Sequence, residues 1–333
     1  NIMLNDQAFE EERLENFLSY VLNNKKFSPI NFNLDISFTN YMMQSSDNKE
    51  HDHDCVILFS GGFDSTAAFL KALDEGLNPL LLWIGFGQKN EEAEYEMIKK
   101  ISKRIKYPVS IIKLDLKKYI DEGWKEWGYI IPARNFMFVC LAASFLSNSK
   151  KNNLKIFLSV HEEEIKETNT DKSKRFFNNC KELFTQFYKK KILIKTPFAK
   201  YSKAEIAAYW NRKWLKKYLI SPYDTITCYY GINCGRCKAC LKRNIALLAG
   251  GFNIDSDLKE NPFEDKDNFI AKDLLNRFNE FSLKRKLELL ISLDIMKEKL
   301  PVKTKKEFML LKNKYSKEID SYKKHLGMIE ITK

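Results

Sequence analysis

The chain has 333 residues, 44% of them hydrophobic, and a net charge of +12. That length suits one large or two medium domains with a sizeable core. The longest strongly apolar run, Pro79 to Phe86, is too short to cross a bilayer, and the acidic, amphipathic stretch from Asn1 to Leu18 is unlike a secretory signal. A membrane protein is thereby excluded, and a soluble cytoplasmic protein is expected. The charge is uneven, with a net −6 over residues 1–54 and a net +7 over residues 283–333. A basic surface suits phosphorylated ligands, an acidic partner or nucleic acid. The nucleic-acid reading is not favoured, because lysine-rich composition is also common in ordinary proteins.

Apolar residues at helical spacing predict an amphipathic helix over Phe9–Leu22, followed by an irregular polar linker to Asp54. From Cys55 strands alternate with helices. Strands are expected at Val56–Phe59, Pro79–Gly85, Val109–Leu114, Lys155–Ser159 and Ile192–Ile194. Helices are expected at Ser65–Leu73, Glu91–Ile105, Arg134–Leu146, Ser173–Phe187 and Ser202–Trp210. Apolar strands flanked by amphipathic helices predict an α/β fold, a parallel sheet with helices on both faces. A cysteine-rich segment follows, and then helical patterns at Asn268–Phe281, Leu283–Met296 and Lys305–Leu326, with Pro301 as a break. The organisation expected is a helical extension and linker over 1–54, an α/β domain over 55–252 with a cysteine-rich segment at 227–243, and a helical extension over 253–333.

Phe59-Ser60-Gly61-Gly62-Phe63-Asp64-Ser65-Thr66 lies between the first strand and the first helix of this alternation. A glycine pair there lets backbone approach a ligand closely. The helix start offers N–H groups without internal partners and a dipole that favours anions. Ser60, Ser65 and Thr66 add hydroxyls, so the segment reads as a phosphate cradle. It lacks the lysine of the G-x-x-x-x-G-K-[ST] loop.

Cys228-x5-Cys234-x2-Cys237-x2-Cys240 places four thiols within a short segment, a pattern for Zn²⁺ in a closed structural site. Gly231 and Gly235 permit tight turns, and Arg236, Lys238 and Lys242 favour thiolates. The spacing also suits an iron–sulfur cluster. Cys55, Cys140 and Cys180 sit in apolar or helical surroundings and read as buried and inert. His51 and His53 read as solvated.

The order Ser-Gly-Gly-x-Asp-Ser resembles the pyrophosphate loop of ATP pyrophosphatases, and loop and cysteines together resemble the 7-cyano-7-deazaguanine synthase, or QueC-type, branch of that family. Phe86-Gly87-Gln88-Lys89, Ile131-Pro132-Ala133-Arg134-Asn135, Thr196-Pro197-Phe198 with Lys203 and Glu205, and Thr227 through Arg243 match that branch in order. The resemblance covers roughly residues 55–250. It implies a Rossmann-like, adenine nucleotide alpha hydrolase-like sheet that uses ATP and Mg²⁺. It implies ATP binding by Ser60, Gly61, Gly62, Asp64, Ser65, Thr66, Gln88, Arg134 and Asn135. Asp64, Ser65, Arg134 and Lys203 would act in catalysis, with Asp64 near metal-bound phosphates and Arg134 fitting phosphate bidentately. The family's Asp-x-Ser-Gly-Tyr-Pro-Asp-Cys-Arg stretch corresponds here to Asp171-Lys172-Ser173-Lys174-Arg175, so Asp171, Ser173 and Arg175 are expected in substrate binding although the Gly-Tyr-Pro-Asp portion is missing.

The implied chemistry is adenylation of a carboxylate, 7-carboxy-7-deazaguanine, with release of pyrophosphate and transfer to an amine. The altered pocket segment and the long ends favour the QueC-like proteins of anti-phage defence systems, of the QatC type or the type IV cyclic-oligonucleotide type, with a protein amine as acceptor and the extensions docking that partner. Nitrile synthesis with ammonia, tRNA thiolation and a non-catalytic nucleotide-binding module stand as alternatives. A homodimer is a further option.

Overall fold

A computed structural model describes residues 53–114, 133–147, 149–165, 171–266, 270 and 274–331. The expected helix over Phe9–Leu22, nearly all of the linker after it, His51, and Ile131-Pro132 lie outside the described residues. Five strands, β1 (Cys55–Leu58), β2 (Pro79–Gly85), β3 (Val109–Lys113), β4 (Asn153–Phe157) and β5 (Lys191–Lys195), form one parallel sheet in the order β3-β2-β1-β4-β5. The fold is α/β and Rossmann-like. The chain winds outward from β1 to β3 and then returns to the other side of β1. The strand ends of β1 and β4 therefore flank a crevice where ligands bind in such sheets.

The helices that cover the sheet are α1 (Phe63–Asp74), α2 (Glu91–Ile105), α3 (Arg134–Leu146) and α4 (Lys174–Tyr188). Alternate strand residues divide between the faces, as the pleat requires. Cys55, Ile57, Leu81 and Trp83 join α1 and α2, whereas Val56, Leu82, Ile84 and Ile156 join α3 and α4. Cys55 and Cys180 are buried, and burial pushes both thiols up to about 12, so they are inert. Cys140 is only half-buried, a departure from the sequence reading, although burial still raises its thiol.

Three elements differ from the sequence pattern. The expected strand Lys155–Ser159 lies two residues earlier, because Asn153 and Leu154 pair with Lys191 and Ile192 of β5. Leu158, Ser159 and Val160 thereby leave the strand at the crevice. The expected helix Ser202–Trp210 begins as α5 (Lys203–Tyr209), continues through a π-helical turn at Trp210–Trp214 and ends as α6 (Leu215–Tyr218). Wider π winding lets both indoles reach acceptors: Trp210 Nε1 donates to Ile220 O at 2.8 Å and Trp214 Nε1 to Asp74 Oδ2 at 2.6 Å.

After α7 (Lys238–Ala249) come α8 (Leu283–Ile295), α9 (Val302–Lys314) and α10 (Ser316–Met328). The single helix expected over Lys305–Leu326 is thus two, broken where Tyr315 leaves helical dihedrals and sets its ring 5.7 Å from that of Phe278. Within 268–281 the described residues include a 3₁₀ turn at Phe278–Glu280. These helices share one core with α5 and α7, in which Phe263, Leu290, Leu293 and Phe308 meet Ala204, Ala208, Leu241 and Leu248.

Phe308 is fully buried in that shared core. Phe308→Ala should cost about 3–5 kcal/mol in a urea unfolding experiment, the range for a large buried ring. A loss below about 1 kcal/mol, the range of surface substitutions, would mean that the C-terminal helices do not fold with the sheet.

Candidate functional site

The loop after β1 is held by its own serines. Ser65 Oγ donates to Gly62 O at 3.1 Å and accepts Ser60 N at 3.3 Å, and Ser60 Oγ accepts Gly62 N at 3.4 Å. Gly61 sits at φ +69°, where a Cβ would also stand 3.1 Å from the Ile98 side chain, so glycine is required there. Ile226 N donates to Gly61 O at 3.0 Å and ties the segment before the cysteines to the loop. Gly62 occupies the N-cap of α1 with no side-chain hydrogen bond over it. The first turn therefore faces the crevice with its positive dipole end open.

That turn borders a cavity of about 1200 Å³. The volume exceeds the usual span of small-molecule sites, about 300–1,000 Å³, and leaves room for a nucleotide and a second substrate. Asp64 is one of its lining residues. Asp64 Oδ2 meets Lys203 Nζ at 2.7 Å, while Oδ1 is buried without a hydrogen-bond partner. Ser60, Gly62 and Ser65 line the cavity with Asp64. Gly61 shapes the loop from behind, and Thr66 is fully buried within α1.

On the β2 side, Gln88 and Arg134 line the cavity with Glu94, a residue that the sequence pattern did not single out. Glu94 accepts Trp83 Nε1 at 3.2 Å, Gln88 Nε2 at 3.1 Å and Asn90 Nδ2 at 3.0 Å. Burial pushes its carboxyl up, against those three donors and the charge of Arg134. Gln88 is thus fixed on both ends, since its Oε1 also accepts Phe86 N at 2.9 Å.

On the β4 side, Asn135 lines the cavity and donates to the Asp171 carbonyl at 3.4 Å. Lys172, not its neighbours, reaches the cavity wall, where its Nζ meets Glu164 at 3.0 Å. Ser173 instead caps α4 by accepting Phe176 N at 3.1 Å, and Arg175 is exposed on that helix. Asp171, Ser173 and Arg175 do not line the cavity; of the expected residues, the loop, Gln88, Arg134, Asn135 and Cys237 line it, and Lys203 joins through its ion pair with Asp64. Ser159 Oγ and Thr227 Oγ1, both on cavity-lining residues, are buried without hydrogen-bond partners. Such atoms are ordinarily satisfied by a ligand or water. Glu94 and Ser159 lie outside the motifs read from the sequence, and only convergence in space sets them beside Glu164, Lys172 and Thr227.

The four cysteines form one cluster, with all Sγ atoms within 4.8 Å of one another. Four sulfurs at the Zn–S distance of 2.3 Å stand about 3.8 Å apart, so the cage fits one tetrahedral ion, and a multi-iron cluster needs a wider one. Cys234 N and Cys240 N donate to Cys228 Sγ and Cys237 Sγ at 3.5 and 3.4 Å. Gly235, at φ +77°, leaves no space for a Cβ, which would fall 1.7 Å from Glu260 O. Tyr229 and Tyr230 from this segment form part of the cavity wall. The segment is therefore both a metal site and a side of the crevice.

Two outcomes follow from this geometry. Purified protein should carry one Zn²⁺ per chain, and chelation should lower Tm and weaken nucleotide binding together; metal loss without change in either would separate the cluster from the cavity. Glu164 has about a third of its side chain exposed, 35%. Burial raises its carboxyl, but His161, Lys172 and Lys203 together outweigh this and hold it below the usual 4.5. Its ionisation therefore supports folding above pH 4.5, and that support is lost as pH falls through the lowered folded value. Glu164→Gln should lower Tm at neutral pH and have little effect in strong acid; an equal loss at both pH values would contradict the ion-pair account.

Comparison with known proteins matches residues 54–251, more than half of the chain, to the family model described as queuosine biosynthesis protein QueC. The 7-cyano-7-deazaguanine synthase of Pyrococcus abyssi is 27% identical over 59% of this chain and 92% of its own length. That of Campylobacter jejuni subsp. doylei is 29% identical over 60% of this chain and 94% of its own length. A solved chain described as a predicted subunit of tRNA methyltransferase from Methanocaldococcus jannaschii overlaps with a TM-score of 0.34 at 20% identity, over 52% of this chain and 92% of that one, and carries no weight. Among the described residues no helix is long and apolar enough to cross a membrane. The match over residues 54–251 takes in the serine-held loop and the four-cysteine cluster, and the chain belongs to the QueC family.

Proposed function

We propose that the chain is an ATP-dependent carbon–nitrogen ligase that adenylates 7-carboxy-7-deazaguanine and passes the acyl group to an amine. The observation that carries this reading is the uncapped first turn of α1, with Asp64 and Lys203 at its mouth, opening into a cavity large enough for two substrates. The loop from Ser60 to Ser65 and Lys203 hold the leaving pyrophosphate. Arg134 and Asn135, from the first turn of α3, reach the α-phosphate. Asp64 is the group suited to hold Mg²⁺, since its Oδ1 is buried and unpartnered. Mg²⁺ there would offset phosphate charge.

In the reaction, a carboxylate oxygen attacks the α-phosphorus and the bond to pyrophosphate breaks. The amine then attacks the acyl carbon, its proton leaves, and the C–O bond to AMP breaks. Neutralising negative charge and holding the reactants in line are the main tasks, and the cationic groups at the crevice serve both. The β4 side suits the deazaguanine. Ser159 and Glu164 offer acceptors for its N–H edge, and Lys172 balances the carboxylates, with Asp171, Ser173 and Arg175 forming the segment that sets Lys172 in place.

For the acceptor, the exposed Tyr229 and Tyr230, each 59% exposed, favour a protein amine over ammonia. A small acceptor has no need of apolar surface at the cavity mouth. The defence-system setting accords with such an acceptor.

The test is mass spectrometry of reactions with ATP, Mg²⁺ and 7-carboxy-7-deazaguanine, with ammonia in one and a candidate neighbour-encoded protein in the other. AMP with a mass increase on the protein is expected. AMP with free amide, or with free nitrile after a second ATP adenylates that amide and its oxygen leaves on AMP, would favour the small acceptor, and no AMP in either would overturn the deazaguanine reading.

A further inference from the structure

Glu205 lies in the first turn of α5, two residues beyond Lys203, and is 1% exposed. Its carboxylate closes a capping box: Oε2 accepts Ser202 N at 2.9 Å, while Ser202 Oγ accepts Glu205 N at 3.2 Å. This reciprocal pair fixes where α5 begins and so where the Lys203 side chain leaves the backbone. The negative charge of Glu205 is met from elsewhere. Lys284 Nζ of α8 lies 3.1 Å from Oε2, and His325 Nε2 of α10 lies 2.7 Å from Oε1. Both residues stand beyond residue 251, where the match to the family model ends.

The surrounding contacts leave these two groups little freedom. Lys284 also meets Glu162 at 2.9 Å and the Lys200 carbonyl at 3.3 Å. The His325 ring stacks on Tyr322 with centroids 5.5 Å apart, and the Tyr322 hydroxyl donates to Glu288 at 2.8 Å and lies 3.5 Å from Ser202 Oγ. A buried carboxylate whose partners are removed is strongly unfavourable and relaxes by moving toward water. Here such a movement would open the capping box and displace Lys203 from Asp64.

We propose that Lys284 and His325 are positioning residues of the ATP site, which hold the Glu205 carboxylate and, through the first turn of α5, set Lys203 against Asp64. The C-terminal helices thereby complete a site whose contacting residues all lie within the family region. This rests on the ATP reading of the cavity.

The test uses the full-length zinc-loaded chain and measures ATP affinity by calorimetry, together with kcat and KM for ATP in AMP formation. Lys284→Met and His325→Ala should each raise the Kd and KM for ATP about tenfold, with a smaller change in kcat. Lys284→Arg should restore affinity to within about threefold of the parent, because it keeps the charge. Lys284→Met combined with Glu205→Gln should bind ATP no more weakly than Glu205→Gln alone, since the residues act as one unit. Lys305→Met, at an exposed pair with Glu298, is the control and should leave both parameters unchanged. His325 is 46% exposed on its side chain, so His325→Ala keeps the test open if Lys284→Met fails to fold. Unchanged ATP affinity in both single variants, with loss confined to Tm and folded fraction, would overturn the inference. Absence of ATP binding by the parent chain would instead overturn the ATP reading beneath it.

Discussion

The first turn of α1 begins at Gly62 without a side-chain cap, and the structure around it is arranged to leave that turn open. A helix start exposes N–H groups and a partial positive charge that some partner must satisfy. Ser60 and Ser65 shape the loop rather than cover the turn, Gly61 supplies the left-handed residue, and Ile226 pins the loop from the far side. The sheet order places this turn at the crevice between β1 and β4. Asp64, paired with Lys203, and Arg134 border the same cavity. The proposed phosphate chemistry rests on these constraints.

The cysteine cluster belongs to the same design. Its tight turns require glycine at Gly231 and Gly235, and its backbone supplies Thr227, Tyr229 and Tyr230 to the cavity. One ion held by the four sulfurs would fix this wall without a large apolar core beneath it. Behind the wall, Arg243 of α7 meets Asp255 at 3.2 Å and donates to the Pro222 carbonyl at 2.8 Å, so the metal segment is anchored from both ends. That pair is almost wholly buried, which makes either partner costly to remove alone.

Much of this was legible in the sequence, for a physical reason. The phosphate loop and the cysteine motif are contiguous, so their spacing alone carries the geometry. Helices α2 and α3 have the bounds expected because their apolar spacing and flanking residues agree. The rest depends on convergence. Glu94, Ser159, Glu164, Lys172 and Thr227 come from separate elements and meet only at the cavity. Ser173 was read for substrate, yet its hydroxyl caps α4, a role that any serine before a helix can take. The partners of Glu205 lie 79 and 120 residues away, beyond the reach of local pattern. Tyr315 broke an expected helix because tertiary packing of its ring outweighed helical spacing.

In the proposed reaction a carboxylate oxygen of the substrate attacks the α-phosphorus of ATP held at α1. The most direct measurement follows oxygen: the reaction is run with the substrate carboxylate labelled with ¹⁸O on both oxygens, and the AMP is weighed. The account predicts one ¹⁸O atom in each AMP released, because the bond broken on transfer to the amine lies between carbon and that oxygen. Unlabelled AMP, with oxygen drawn from water, would show simple hydrolysis of ATP and contradict the account.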